Sequence, residues 1–424
     1  MDSLSVCGNG PLKGQTFASG SKNAALPLLA SALLAEGTHH FENVPRLADI
    51  RTMLKLLRHI GLETSMEHNA HPSSCTLHNP GKANPEAPYE LVKTMRASVL
   101  VLGPLLAKYG KAKVSLPGGC AIGARPIDLH LKALSAMGAH ISLSGGYVEA
   151  TAQRLHGADF RFDTISVTGT ENLLMAASLA KGTTRIRNAA QEPEVAELVD
   201  VLKKMGAQIE WEKPNELVVE GVEALTPCQH TVCADRIEAG TLLVAAAITG
   251  GDVFVQNAQA AHLGAVIEKL REAGCEISQE HKNGPGLRLV APPHIRPLQL
   301  QTQEYPGFPT DMQAQFMALL SIADGDSEIA ENIFENRYMH VAELCRMGAH
   351  IHVSGTHALI HGVSKLSGAP VMATDLRASA SLVLAALRAE GTTTISRVYH
   401  LDRGYEQLEE KLSHLGAKVE RLHG

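Results

Sequence analysis

Aromatic residues make up only 4% of this 424-residue chain, and there is a single tryptophan, Trp211. That scarcity makes base stacking an unpromising mode of recognition. Positive charge is not in excess either: 38 Lys and Arg stand against 44 Asp and Glu, a net charge of -6 that argues against a broad basic surface for nucleic acid. Long apolar runs are missing, and the most apolar stretches, such as Leu242 to Thr249, are far too short to span a bilayer. The amino terminus, MDSLSVCGNGPLKGQ, has neither the basic segment nor the apolar core of a secretory signal. The seven cysteines, Cys7, Cys75, Cys120, Cys228, Cys233, Cys275 and Cys345, contain no C-x-x-C pair. A disulfide framework or zinc knuckle is therefore not expected, and a reducing compartment fits better. The 21 histidines include no H-E-x-x-H arrangement, so no metal site is expected from them. These absences describe a cytoplasmic protein that meets neither membrane nor nucleic acid.

What is present is alanine, glycine and internal repetition. Hydrophobic residues reach 45% and glycines number 37, and at about 150 residues per domain the length allows two or three domains. Six segments share a helical apolar stripe, then Gly, then a strand-like run: LLRHIGLET, LSAMGAHIS, LKKMGAQIE, LREAGCEIS, LCRMGAHIH and LSHLGAKVE. Their glycines, Gly61, Gly138, Gly206, Gly274, Gly348 and Gly416, are spaced by 77, 68, 68, 74 and 68 residues. Repetition at a fixed period decides the fold before any local motif does. In the third copy Val195, Leu198, Val199, Leu202 and Met205 follow the helical period, and Gly206 sits where a helix end requires positive φ.

Each unit also carries an earlier, alanine-rich helix: NAALPLLASALLAEG, ASVLVLGPLLAKYG, ENLLMAASLAKG, GTLLVAAAITGG, QAQFMALLSIADG and SASLVLAALRAEG. A helix apolar nearly all round belongs in an interior. Pro27 and Pro104 fall within two of these and should delay or kink them. Each unit thus reads as inner helix, strand, outer amphipathic helix, then strands. Six such units suit two pseudo-symmetric α/β domains of three repeats, with helices enclosed by sheets. The expected boundaries are 22–232 for the first domain, which holds the Cys120 loop, and 1–21 with 233–424 for the second. In that arrangement residues 1 to 20 pair with the last unit, and the chain crosses over near Gln229 to Arg236.

Polar residues interrupt the inner helices at their amino-terminal entrances: Lys22 and Asn23 in SKNA, Arg96 in TMRAS, Glu171 and Asn172 in TGTEN, Arg236 and Glu238 in RIEAG, Asp311 in PTDMQ, Asp375 and Arg377 in TDLRAS. Helix amino termini favour anions, and added Lys or Arg deepens that preference. Ser21, Asp311 and Asp375 also read as ordinary caps. Arg and Lys at these places oppose the dipole and need another reason, which an anionic ligand between the two halves would supply. Further arginines, Arg125, Arg337 and Arg403, occupy corresponding places in GARPID, ENRYMH and LDRGYE. A forked guanidinium suits carboxylate and phosphate, although some of these arginines read equally as partners of neighbouring Asp or Glu. The loop LPGGCAIGARP, residues 116 to 126, matches neither a P-loop nor a dinucleotide fingerprint. It puts the Cys120 thiol on a glycine hinge close to Arg125, a setting for proton exchange or nucleophilic reactivity. Cys75, Cys275 and Cys345 lie in strand or helix patterns and are expected to serve packing, as are the remaining cysteines.

On these motifs the chain resembles the UDP-N-acetylglucosamine 1-carboxyvinyltransferase family: SGSKNAALPLLA, LPGGCAIGARPIDLH, TGTENLLMAA, YPGFPTDMQAQ, FENRYMHVAEL, DLRASASLVLAAL and HLDRGYEQLEEKL occur in order along nearly its whole length. The resemblance implies a pair of inverse α/β domains closing over a cleft, the enolpyruvyl transferase fold. It implies transfer of enolpyruvyl from phosphoenolpyruvate to the 3-hydroxyl of UDP-N-acetylglucosamine with release of phosphate, the first committed step of peptidoglycan precursor synthesis, without metal or organic cofactor. By the family pattern Asp311 is the base toward the sugar hydroxyl, and Cys120 the acid, able to add covalently to the enolpyruvyl carbon. Lys22, Arg125 and Arg403 would hold phosphate and carboxylate, with Lys22 and Arg403 counted among the catalytic groups. Arg96, Arg337, Asp375 and Arg377 would complete the cleft, with Asn23 toward the sugar. Arg125, Pro126, Ile127, Asp128 and Leu129 would border the nucleotide, joined by Ser166, Val167 and Ile333. Cys120 would also be the thiol alkylated by fosfomycin. One departure is Thr164 in FDTISV, where many family members carry Lys.

Two other readings compete. The shikimate-pathway enolpyruvyl transferase shares the architecture and the anion cradle but lacks the cysteine loop and the RPIDLH segment. A non-catalytic or RNA-end-processing protein on a related repeat fold is disfavoured by net acidity and by the scarcity of aromatics.

Overall fold

The computed structural model of the chain describes residues 2–67, 72–116, 127–281 and 284–424. Among these the chain separates into two compact units, one running from Gly20 to Cys233 and one combining residues 2–19 with 234–424.

The described residues form six four-stranded sheets, three in each unit, and all share one pattern. In the third, Asp159–Arg161 pairs parallel with Thr183–Arg187, which pairs antiparallel with Glu216–Glu220, which in turn pairs antiparallel with Gln208–Lys213. The parallel edge strand precedes the inner helix and the next strand follows it, so helix and sheet form a crossover unit closed by a hairpin. Two sheets borrow strands from the amino terminus. Lys13–Phe17 is the parallel edge beside Asp252–Gln256, and Ser3–Cys7 lies between Thr392–Ser396 and Lys418–Leu422. The amino-terminal segment therefore serves the fourth and the sixth sheets, where the sequence pattern suggested only the last. In the other unit Gln229–Thr231 returns as the parallel edge beside Gly37–Glu42.

The inner helices are buried as their composition requires. In Arg236–Thr249 every residue from Ile237 onward is buried; Asp235 caps the start, its carboxylate accepting from the Ile237 and Glu238 amides at 2.8 and 3.1 Å, and Gly250 ends it at φ 70°. The second inner helix begins as a 3-10 turn, Arg96–Val101, before Leu102–Tyr109. Pro104 thus falls in the first α-turn, where its missing N–H leaves no bond unmade. Pro27 stays inside Lys22–Ser31. All six repeat glycines have positive φ, from 90° at Gly348 to 126° at Gly61. The six outer helices preceding them end there because only glycine takes that conformation without a Cβ penalty.

At the ends of the units the chain is tied tightly. In residues 234–424 with 2–19, the Asp235 amide donates to the Ser19 carbonyl at 2.7 Å; in Gly20 to Cys233, the Ser21 amide donates to the Cys233 carbonyl at 2.7 Å. Gly20 lies so close to Asn43 that an added Cβ would stand 1.7 Å from the Asn43 carbonyl oxygen.

The expectation that the remaining cysteines serve packing holds for Cys75, Cys228 and Cys275, which are buried. Burial pushes their thiols up, to about 12, 11 and 12 respectively. It fails for Cys345, which is exposed: on the short outer helix Val341–Arg346 only Leu344 is buried, and the next position faces solvent.

Candidate active site

Gly20 to Cys233 supplies one set of the residues singled out from the sequence. Ser21 caps the first inner helix, its hydroxyl accepting from the Ala24 amide at 3.3 Å. Lys22, the first helical residue, is buried, and its Nζ lies 3.6 Å from Asp49 Oδ2 on the outer helix Ala48–Ile60. The cation opposing the helix dipole is thus matched by a carboxylate from the neighbouring layer. Asn23 is half-buried beside it, and Arg96, half-buried, opens the 3-10 turn of the second inner helix. Ser166 caps Val167–Ala177 by accepting from the Gly169 amide at 3.1 Å, which leaves half-buried Val167 at the helix entrance. Ile127 is buried, Asp128 starts the helix Asp128–Ala136 on the surface, and Leu129 is half-buried. Cys120, Arg125 and Pro126 lie outside the described residues.

A buried histidine missed by the motif reading joins several of these. Asn172 Nδ2 lies 3.0 Å from His130 Nδ1 and also donates to the Val99 carbonyl at 2.8 Å, while Asn172 Oδ1 accepts from the Gly103 amide at 2.6 Å. The Gly103 bond fixes the amide orientation, so His130 Nδ1 must accept, and Nε2 carries the proton toward Thr168 Oγ1 at 3.2 Å. Burial, with the Arg96 charge adding to it and Asp128 opposing, pushes the His130 pKa down to about 4. A neutral His130 therefore ties the Asp128–Leu129 turn to the 3-10 turn that carries Arg96 and to the Val167–Ala177 entrance. Its place in RPIDLH was the only signal of it in the sequence. Nearby, burial first and then Glu194 and Glu192 lift the Glu171 carboxyl well above the usual range.

Residues 234–424 supply the second set, and here the structure separates two aspartates that both read as helix caps in the sequence. Asp375 is a cap: its carboxylate accepts from the Arg377 and Ala378 amides at 2.8 and 3.0 Å and opens the helix Leu376–Arg388. Asp311 is not. It lies in the 3-10 turn Thr310–Met312, and its two oxygens face two different guanidinium groups. Arg337 Nη2 donates to Oδ1 at 2.7 Å, and Arg377 donates to Oδ2 through Nε at 3.1 Å and Nη2 at 3.0 Å. The arginine side chains are 6% and 3% exposed, the aspartate 28%. The cations are sealed in and the carboxylate is left reachable.

Arg377 lies over the ring of buried Tyr405, 5.4 Å from guanidinium carbon to centroid, and Arg337 over Phe334 at 5.0 Å. The Tyr405 hydroxyl meets Thr241 Oγ1 and Gln315 Nε2, each at 3.1 Å, and Gln315 Nε2 also donates to the Asp311 carbonyl at 2.9 Å. Arg403 closes the 3-10 turn Val398–Arg403, half-buried; its charge, after burial, lowers the pKa of His400. His340 is buried near Asp375 and Arg337; burial pushes it down to about 4, with Asp375 opposing and Arg337 assisting. Ile333 is half-buried, its amide donating to Glu331 Oε1 at 2.9 Å.

This unit thus brings Asp311, Arg337 and Arg377 into direct contact, with Asp375 at the head of the helix that delivers Arg377. Such an arrangement can accept a proton at one carboxylate while fixed positive charge surrounds it. Sequence reasoning missed Thr310, Glu331, Tyr405 and Gln315, residues whose roles rest on side-chain contacts between elements distant in sequence.

A family model described as EPSP synthase (3-phosphoshikimate 1-carboxyvinyltransferase) matches residues 6–412. The UDP-N-acetylglucosamine 1-carboxyvinyltransferase of Myxococcus xanthus (strain DK1622) is 60% identical over 421 residues, 99% of either chain. The protein of the same name from Geotalea uraniireducens (strain Rf4) is 56% identical over the full length of both chains. Among solved structures, the enolpyruvyl transferase NikO from Streptomyces tendae superposes with a TM-score of 0.88 at 24% identity, covering 99% of this chain and 98% of its own. EPSP synthase from Acinetobacter baumannii gives 0.78 at 22% identity, with both chains fully covered. These two share the fold.

Proposed function

Because the chain belongs to the EPSP synthase family and, within it, to the UDP-N-acetylglucosamine 1-carboxyvinyltransferases, we infer that it transfers the enolpyruvyl group of phosphoenolpyruvate to the 3-hydroxyl of UDP-N-acetylglucosamine and releases phosphate. The reaction is an addition followed by an elimination. The sugar oxygen bonds to C2 of phosphoenolpyruvate as its proton leaves and C3 gains one; then the C2–O bond to phosphate breaks and C3 gives up a proton, restoring the double bond. Both steps move protons beside a highly anionic substrate, so an acid, a base and fixed cations are all required.

Within this reading Asp311 is the base toward the sugar hydroxyl. The observation that carries the assignment is its pair of guanidinium partners on opposite oxygens, which favour the ionised carboxylate and still leave lone pairs for a hydroxyl donor. Cys120 is the acid and the thiol that fosfomycin alkylates. Lys22, Arg125 and Arg403 hold phosphate and carboxylate; Arg96, Arg337, Asp375, Arg377 and Asn23 complete the site. Pro126, Ile127, Asp128, Leu129, Ser166, Val167 and Ile333 border the nucleotide. The reaction serves peptidoglycan precursor synthesis in the cytoplasm. No described helix is long and apolar enough to cross a membrane.

The test is Asp311→Asn. It keeps the size of the side chain and removes its proton affinity, so UDP-N-acetylglucosamine binding stays measurable by calorimetry while turnover falls on the order of 10²–10⁴-fold. Near wild-type kcat in that variant removes Asp311 from the role.

A further inference from the structure

Glu331 is buried at the end of the strand Asp326–Ala330 and uses its two carboxylate oxygens in two directions. Oε1 accepts from the backbone amides of Ile333 at 2.9 Å and Phe334 at 3.1 Å. Oε2 accepts from the Thr310 hydroxyl at 2.9 Å. The Thr310 oxygen in turn accepts from Arg337 Nη1 at 3.0 Å, and the other arm of that guanidinium, Nη2, holds Asp311 Oδ1. The residue is itself fixed: its amide donates to the Thr356 carbonyl at 2.8 Å, and the following Asn332 amide donates to Thr302 Oγ1 at 2.9 Å.

Resting on the transferase reading above, we propose that Glu331 is a positioning residue that sets two features of the site at once. One arm shapes the Ile333–Phe334 turn that borders the nucleotide. The other runs through Thr310 to Arg337 and fixes the orientation in which Arg337 holds the Asp311 base. Geometry dictates the direction of this relay. A threonine hydroxyl has one proton, which goes to Glu331, so its oxygen lone pairs are turned toward the guanidinium. A buried carboxylate is the acceptor best able to hold that proton, because a charge-assisted bond is stronger than a neutral one. Arg337 donates to Thr310 and Asp311 from separate nitrogens, so the Thr310 bond limits rotation of the fork and holds Nη2 on the Asp311 oxygen.

The two arms can be cut separately. Thr310→Val keeps the shape and removes the hydroxyl, cutting only the arm toward Asp311. Glu331→Gln keeps one carbonyl oxygen for the Ile333 and Phe334 amides but offers Thr310 an N–H where it needs an acceptor. Glu331→Ala cuts both arms, and Thr310→Ser restores the hydroxyl. Steady-state kinetics on the full-length protein, with active-site titration, separate these cases. Thr310→Val and Glu331→Gln are expected to lower kcat on the order of tenfold with the KM for UDP-N-acetylglucosamine changed less than twofold. The double variant falls no further than either single one, because both break one relay. Thr310→Ser keeps kcat within about threefold, and Glu331→Ala adds a rise in that KM on the order of tenfold. Additive losses in the double variant, an inactive Thr310→Ser, or an unchanged KM in a folded Glu331→Ala overturn the proposal. If Glu331→Ala does not fold, the other variants still decide the Asp311 arm. Failure of the wild-type protein to turn over UDP-N-acetylglucosamine would instead defeat the transferase reading on which the proposal stands.

Discussion

Arg377 grips one oxygen of Asp311 twice, through Nε at 3.1 Å and Nη2 at 3.0 Å, from a helix whose first amides are held by Asp375. The Asp375 cap and the Asp311 carboxylate are therefore links of one chain. Asp375 fixes the helix start, the helix start aims Arg377, and Arg377 aims Asp311. A lysine in place of Arg377 would keep the charge but lose the planar fork that makes two bonds to one oxygen.

Arg377→Lys should accordingly lower turnover by at least tenfold while the protein stays folded. One charge-assisted hydrogen bond contributes about 1.5–3 kcal/mol, and about 1.4 kcal/mol corresponds to a factor of ten in rate. Phosphate-release kinetics beside a thermal melt would check both halves; a fully active Arg377→Lys would show that the second bond has no catalytic consequence.

Acid should destabilise the fold through its buried histidines. His130 and His340 have folded-state pKa values pushed down to about 4 from an ordinary 6.5. Their neutral forms stabilise the fold fully above about pH 6.5; as pH falls from there toward 4, the unfolded chain takes up the proton first and stability is lost. Each such proton changes the unfolding free energy by at most about 1.4 kcal/mol per pH unit. Denaturant melts between pH 7 and 4.5 should show this slope, and His130→Gln should make it shallower. An unchanged slope in that variant would mean that His130 titrates normally.

Gly20→Ala should be far more damaging than Gly206→Ala. A Cβ at Gly20 would meet the Asn43 carbonyl oxygen at 1.7 Å, a backbone atom that cannot move aside cheaply, whereas at Gly206 no atom lies within 4 Å and only φ 104° opposes a side chain. The first is expected to cost more than about 3 kcal/mol and the second about 1–2 kcal/mol. Comparable melts for the two variants would contradict the close approach at Gly20.

Thiol labelling should divide the cysteines by environment. Cys75, Cys228 and Cys275 are buried and pushed up in pKa, so iodoacetamide at neutral pH should leave them unmodified in the native protein and find exposed Cys345. Fosfomycin in the presence of UDP-N-acetylglucosamine should modify Cys120 alone. A peptide map with the fosfomycin adduct on Cys345 would remove Cys120 from its assigned role.

The sequence and the structure agree best where the local physics is one-dimensional. A 68-residue spacing and a helix stripe ending in glycine place Gly206 and Gly274 at helix ends, because only glycine tolerates the positive φ found there. The inner helices were legible from their all-round apolarity, as Arg236–Thr249 illustrates. Capping was less legible. Asp311 and Asp375 both stand beside a helix entrance in sequence, yet only Asp375 caps, because Asp311 lies in a 3-10 turn within reach of Arg337 and Arg377. Glu331 and Thr310 were not legible and His130 only through its place in RPIDLH, since their hydrogen-bond partners come from elements up to 73 residues apart in their networks. Cys345 misled for a related reason: a helical position says nothing about which side faces water when the helix is one short turn and a half.

Phosphate release from phosphoenolpyruvate, with two acceptors compared under the same conditions, decides the identity of the acceptor. The transferase assignment requires steady release with UDP-N-acetylglucosamine, a product carrying the added enolpyruvyl mass, and no release above background with shikimate 3-phosphate. Release with shikimate 3-phosphate and none with UDP-N-acetylglucosamine would contradict it.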